Sequence, residues 1–137
     1  SKIIIDYAHT PDAIKNILQS YSNKSFKPSL VFGCGGDRDK SKRKKMALIA
    51  YKYAKKIYLT DDNPRNENPN LIRKTLKKYC PKAVDIADRR LAIHIAISEI
   101  NKNDILIIAG KGHEKYQIIK NRNYIFDDYQ VAKDFIK

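Results

Sequence analysis

The chain is 137 residues long and 42% hydrophobic, enough for one domain around one packed core. No apolar run approaches the ~20 residues that span a bilayer, and no signal-peptide pattern opens the sequence, so no membrane partner is expected. The formal net charge of +13 raises nucleic-acid binding, but the lysines are spread along the chain without a recognition helix or aromatic RNA-binding motif, and nucleic acid is not the expected partner.

The densest basic run, Lys40 to Lys45, adjoins a glycine-rich turn where a carboxylate or phosphate would serve equally well. Cys34 and Cys80 fit no metal spacing and no disulfide scaffold, which points to a reduced, cytoplasmic protein. Ser1-Lys2 leads at once into an apolar run, the look of a piece of a longer protein.

Ile3-Ile4-Ile5 is a β-branched run expected to form a buried strand. Thr10-Pro11-Asp12 then reads as a helix start, with Thr10 as N-cap and Pro11 at the first helical position. Ala13, Ile14, Ile17, Leu18 and Tyr21 give that helix its apolar stripe. Leu30-Val31-Phe32 is a second strand running into Gly33-Cys34-Gly35-Gly36, and Met46, Ile49, Ala50 and Tyr53 mark the next helix. Ile57-Tyr58-Leu59 makes a third strand, followed by a polar loop. Asn68 caps a helix opened by Pro69, whose packing face is expected from Leu71, Ile72 and Leu76.

Ala83-Val84-Asp85-Ile86 is a weaker strand, and Asp88 caps a helix carrying Leu91, Ala92, Ile95, Ala96 and Ile100. Ile105-Leu106-Ile107-Ile108-Ala109 is the clearest central strand. Gln117-Ile118-Ile119 and Tyr124-Ile125-Phe126 flank a polar turn, the pattern of an antiparallel hairpin, and a final helix runs from about Asp128 to Ile136. The alternation predicts an α/β fold: a single three-layer Rossmann-like domain with a mostly parallel sheet and a C-terminal antiparallel hairpin.

Open α/β sheets bind ligands beyond the carboxyl ends of their strands. Each strand here ends in polar residues: Asp6, Tyr7 and His9; the glycine turn with Asp37, Arg38 and Asp39; Asp61, Asp62, Asn63, Pro64 and Arg65; and Gly110, Lys111, Gly112, His113 and Glu114. A rim carrying both charge signs suits a zwitterion better than a polyanion. Taken singly these signals are weak. Asp6 could merely cap a turn, the glycines could be a tight connection, and the run from Lys42 to Lys45 reads as a solvated helix face. His94 sits within a helix and is assigned no role. Neither glycine segment has the spacing of a phosphate-binding P-loop, which argues against a free-standing nucleotide-binding domain.

Asp6-Tyr7-Ala8-His9-Thr10-Pro11-Asp12 resembles the motif that opens the C-terminal domain of Mur ligases. Gly33-Cys34-Gly35-Gly36-Asp37-Arg38-Asp39-Lys40 and Gly110-Lys111-Gly112-His113-Glu114 resemble two further motifs of that family. Asp62-Asn63-Pro64-Arg65 resembles the motif of its diaminopimelate-adding branch, from which lysine-adding relatives differ. The matches fall in order along nearly the whole chain. Two departures stand out. Ser41 and Lys44 replace the Gly and Pro of many relatives, and Gln130 occupies a position where an acid is expected.

The resemblance implies that residues 1–137 form an amino-acid-binding C-terminal domain, with the N-terminal UDP-binding and central ATPase domains absent from this chain. The family reaction is ATP-dependent amide bond formation. ATP phosphorylates the terminal carboxylate of a UDP-MurNAc-dipeptide, and the amine of meso-diaminopimelate attacks the acyl phosphate. ATP and Mg are the implied cofactors, with the magnesium ligands in the central domain, so no metal site and no catalytic residue is expected here. The isolated chain is expected to be inactive.

For meso-diaminopimelate the resemblance implies Arg38, Asn63, Arg65, Gly110 and Glu114. Arg65 and Asn63 would hold the carboxylate that lysine lacks, Arg38 another carboxylate, and Glu114 with the Gly110 carbonyl an ammonium. Asp6, His9 and Lys111 are implied close to ATP, Lys111 with the alternative of simply supporting its turn. The nearest rival is a lysine-adding branch of the same family.

Overall fold

The computed structural model describes residues 1–112 and 114–136. Strand and helix alternate as β1 (Lys2–Asp6), α1 (Pro11–Ser20), β2 (Ser29–Phe32), α2 (Ser41–Tyr53), β3 (Ile57–Leu59), α3 (Pro69–Tyr79), β4 (Val84–Asp85), α4 (Arg89–Glu99) and β5 (Ile105–Ala109). The hairpin β6 (Tyr116–Ile119) and β7 (Arg122–Ile125) and the helix α5 (Asp128–Phe135) follow. The expected helix starts hold. Thr10, Asn68 and Asp88 each accept a backbone N–H of the first helical turn, and Pro11 and Pro69 open their helices.

The main sheet has five strands in the order β1-β5-β2-β3-β4, and every pairing among them is parallel. Residue alternation along each strand divides two apolar layers. Leu30, Phe32, Leu59, Ile107 and Ala109 face α1, α2 and α3, meeting Ile14, Leu18, Met46, Ala50, Ile72 and Leu76. Val31, Tyr58, Leu106 and Ile108 face α4 and α5, meeting Ala92, Ile93, Ala96, Val131 and Ala132. Helices on both faces of a parallel sheet give the three layers read from the sequence. The hairpin β6–β7 stands apart as a separate antiparallel pair.

Two packing expectations are corrected. Leu71 does not join the packing face of α3; it is 60% exposed, and Arg73 takes the inward place between Ile72 and Leu76. Arg73 fits there because its guanidinium is received by Asp61 and Asp85, so its stem packs while its charge is paired. On α4, Leu91 is likewise outward, and Ile93 is buried instead.

Candidate functional site

Two loops meet at the carboxyl edge of the sheet, residues 33–40 between β2 and α2 and residues 60–68 between β3 and α3. Their approach is so close that a Cβ on Gly36 would lie 1.8 Å from the Pro64 carbonyl oxygen. Only glycine fits there. The Gly36 N–H donates to the Asn63 carbonyl at 2.7 Å, and Asp37 Oδ2 accepts the Asn66 side-chain amide at 3.0 Å. In return, Glu67 Oε1 accepts the Asp37 N–H at 2.8 Å and Arg43 Nη2 at 3.0 Å. The same Nη2 donates to the Gly35 carbonyl at 3.0 Å. The Arg43 hydrogen bond holds the Glu67 carboxyl below the ordinary glutamate value.

Arg65 takes a left-handed backbone conformation, φ +52°, uncommon for a side chain of its size. The hairpin holds it there. The Arg65 N–H donates to the Ile118 carbonyl at 3.0 Å, and the Lys120 N–H donates to the Arg65 carbonyl at 2.6 Å. Its Nη1 donates to the Gly36 and Asn63 carbonyls, at 3.0 and 3.3 Å. Beside it, Asn63 Oδ1 accepts both Lys111 Nζ at 2.7 Å and the Ile118 N–H at 2.9 Å. With the oxygen committed, Nδ2 is the half of that amide left to donate.

Lys111 is fully buried beneath these residues. Its ammonium also donates to the Tyr116 carbonyl at 2.9 Å and lies 3.1 Å from Asp62 Oδ1. The last contact is ionic but off the hydrogen-bonding direction, and Asp62 Oδ1 has no hydrogen-bond donor among the described residues. Burial lowers the Lys111 pKa, and the Asp62 carboxylate opposes that shift. Lys111 thus joins the loop after β5, the loop after β3 and the hairpin.

At the opposite rim, Asp6 Oδ2 accepts the Ala8 N–H at 2.8 Å, the turn-capping alternative. The Tyr7 ring packs edge-on against His9 at 4.7 Å, and its hydroxyl reaches Glu114 Oε2 at 3.5 Å. The loops enclose a cleft of about 510 Å³. Arg38, Asn63, Arg65, Gly110 and Glu114 all line it, together with His9. Asp6 and Lys111 are not among the lining residues. His113 lies outside the described residues. His94 stacks on Phe135 at 4.2 Å, a packing contact between α4 and α5.

Sequence reasoning missed several residues that build this edge. Arg43 was expected on a solvated face; it is 5% exposed and lines the cleft, because Glu67 and the Gly35 carbonyl draw it inward. Arg89 and Asp128 are both fully buried and joined by two hydrogen bonds of 2.7 Å. Arg89 also donates to the Asp61 carbonyl at 3.2 Å and the Ala109 carbonyl at 3.1 Å, bracing two strand ends from behind. Burial alone would lower the Arg89 pKa, and Asp128, with smaller help from Asp62 and Glu114, more than restores it. Neither pair follows a local spacing rule, since the partners are 24 and 39 residues apart. Cys34 also lines the cleft, where burial pushes its thiol up to about 12.

A three-layer α/β domain whose polar loops gather at the carboxyl edge of a parallel sheet is the class that fold and cleft define. Residues 1–112 match the family described as "Mur ligase, glutamate ligase domain", and the chain belongs to that family. It is 52% identical over 130 residues to the UDP-N-acetylmuramoyl-L-alanyl-D-glutamate--2,6-diaminopimelate ligase of Anaplasma marginale, covering 93% of this chain and 28% of that protein. Its identity to the ligase of the same name from Rickettsia rickettsii is 48% over 142 residues, covering 100% of this chain and 30% of that protein. A solved structure of a ligase so named superposes with a TM-score of 0.89 at 40% identity, over 98% of this chain and 28% of that one. Folylpolyglutamate synthase from Thermotoga maritima, with a TM-score of 0.58 at 20% identity over 82% of this chain and 26% of that one, shares the fold. The chain thus spans less than a third of the length of the diaminopimelate ligases it matches.

Proposed function

We propose that this chain is the amino-acid-binding part of a UDP-N-acetylmuramoyl-L-alanyl-D-glutamate--2,6-diaminopimelate ligase, working in the cytoplasm on a peptidoglycan precursor. The observation that carries the reading is the convergence of Arg38, Asn63, Arg65, Gly110 and Glu114 on one cleft with cations and an anion in its wall. meso-Diaminopimelate carries an ammonium and a carboxylate at both ends, so it needs such a mixed wall. Arg65 offers a planar fork to the carboxylate that lysine lacks, and Asn63 Nδ2 adds a donor of the right polarity beside it. Arg38, exposed and bonded among the described residues only to its neighbour's carbonyl at 3.0 Å, can turn to a second carboxylate. Glu114 and the Gly110 carbonyl receive an ammonium. Bound lysine would leave Arg65 facing the cleft without its anion, costing ~2–5 kcal/mol.

ATP would lie against the rim of Asp6 and His9, with Lys111 acting only from beneath through the loop it supports. ATP supplies the phosphoryl group that activates the carboxylate of the UDP-MurNAc-dipeptide, and both would be held largely by parts of the enzyme outside this chain. Magnesium ligation is assigned to the parts of the enzyme outside this chain.

The test is an NMR titration of the chain with meso-diaminopimelate and, in parallel, lysine. Shifts confined to the loops of Arg38, Asn63, Arg65 and Glu114, seen with diaminopimelate alone, are expected. Equal shifts with lysine would sink the specificity while keeping the family. Dipeptide-dependent ATP turnover by this chain alone would overturn the division of labour.

A further inference from the structure

We propose that Arg43 and Glu67, which no motif of the cleft includes, form a positioning clasp that sets the separation of Arg38 and Arg65 and thereby lets the cleft distinguish a ligand with two carboxylates from one with a single carboxylate. The proposal rests on the function proposed above and adds to it the residues that hold its two arginines in register.

Arg38 and Arg65 belong to different loops, and a ligand spanning both must find them at one distance. Gly35 sits between them: a Cβ there would lie 2.8 Å from Arg65 Nη1 and 3.7 Å from Arg38 Cγ. The position of the first loop relative to the second is therefore the position of one arginine relative to the other. Two contacts involving backbone of the first loop come from the clasp, the Gly35 carbonyl to Arg43 Nη2 and the Asp37 N–H to Glu67 Oε1. They flank Gly35 and Gly36, and Asp37 immediately precedes Arg38. Asp37 itself has φ +53°, a left-handed conformation that the chain must be held in.

Charge matters as much as geometry. Arg43 is buried in the cleft wall, and its Nε has no hydrogen-bond partner among the described residues. An Arg43 guanidinium without Glu67 would be a third cation competing for the ligand's carboxylates at the wrong place. With Glu67 at 3.0 Å, the pair is neutral overall and leaves recognition to Arg38 and Arg65. Glu67 is mostly shielded, with 19% of its side chain exposed, so solvent weakens the pairing only in part.

The experiment uses the full-length ligase that carries this chain and compares Glu67→Ala, Glu67→Gln and Arg43→Lys with the parent. Expected for Glu67→Ala is a KM for diaminopimelate raised ~10- to 100-fold, with KM for ATP within about twofold, and a diaminopimelate-to-lysine preference falling in proportion. Glu67→Gln keeps an acceptor for the Asp37 N–H but leaves the Arg43 charge uncancelled, so its KM should fall between those of the parent and Glu67→Ala. Arg43→Lys replaces a two-way donor by a point charge and should behave like Glu67→Ala. Unchanged preference in Glu67→Ala and Arg43→Lys overturns the clasp while leaving the proposed function standing. KM values for both substrates rising together with a lowered Tm overturn it too, since that is loss of fold. A parent enzyme that does not use diaminopimelate overturns both.

Discussion

Replacing Asp128 with asparagine removes the only anion that, among the described residues, is paired with Arg89, while barely changing shape. Both side chains are fully buried, and the pair is joined by two hydrogen bonds of 2.7 Å. Arginine does not shed its proton in a protein, so the variant leaves an interior cation whose acceptors are all neutral, the Asn amide oxygen and the carbonyls of Asp61 and Ala109, with the new amide NH2 set against a guanidinium N–H. Breaking a buried pair from one side costs ~3–5 kcal/mol, against a total stability of ~5–15 kcal/mol for an ordinary domain. At ~2.1 cal/mol/K per residue, the unfolding entropy of 137 residues is ~0.29 kcal/mol/K, so the midpoint should fall by ~10–17 °C. Thermal and urea unfolding followed by circular dichroism would measure it. Replacing both partners together, as Arg89→Met with Asp128→Leu, should return most of the loss because no charge is then stranded. A loss under ~1 kcal/mol for Asp128→Asn, or a double variant no better than the single one, would refute the reasoning.

Three further outcomes follow from the site. Gly36→Ala should part the two loops, since its methyl would lie 1.8 Å from the Pro64 carbonyl oxygen; the Arg65 and Asn66 amide resonances should move, and diaminopimelate shifts should vanish. The Glu67 carboxyl is held below its ordinary value of 4.5 by Arg43, so its stabilising contribution is fully present above that value and is lost as pH falls through the folded-state one. Unfolding midpoints measured from about pH 7 down to about pH 3 should therefore drop more steeply in the parent than in Glu67→Gln. Cys34 lines the cleft but its thiol is pushed up to about 12, so it should stay protonated and alkylate slowly with iodoacetamide at neutral pH, faster once the chain is unfolded; folded-state alkylation at the unfolded rate would contradict the raised pKa.

The fold was largely legible because its signals are local. β-branched runs gave strands, and Thr10, Asn68 and Asp88 announced their helices by the chemistry that caps them. The polar strand ends then followed from topology, since a parallel sheet brings all its carboxyl ends to one edge. What stayed hidden depends on pairing across sequence. Arg43 looks like any member of a basic run until Glu67 is placed beside it, and Arg73 outcompetes Leu71 for the inward side of α3 only because Asp61 and Asp85 wait there. Lys111 is implied close to ATP or in support of its turn, yet nothing in the sequence names Asn63, Tyr116 and Asp62 as the groups around its ammonium. No spacing rule reports such partners, whereas each becomes obvious once the loops have met.

The position of β1 has a consequence for how the chain is made. β1 lies at the edge of the sheet and, among the described residues, pairs with β5 alone, Lys2 opposite Ile105 and Asp6 opposite Ala109. Its partner lies 103 residues downstream, so at a synthesis rate of ~5–20 residues per second the isoleucine run emerges ~5–20 s before anything can pair with it. Neither β2 nor β3 can substitute, because β5 must first insert between β1 and β2. The neighbouring pair β2–β3, linked through α2, can form early, and the sheet is closed by the late arrival of β5. Since Tyr7 and Glu114, which follow β1 and β5, meet at one rim of the cleft, that rim can be assembled only after β5 has arrived.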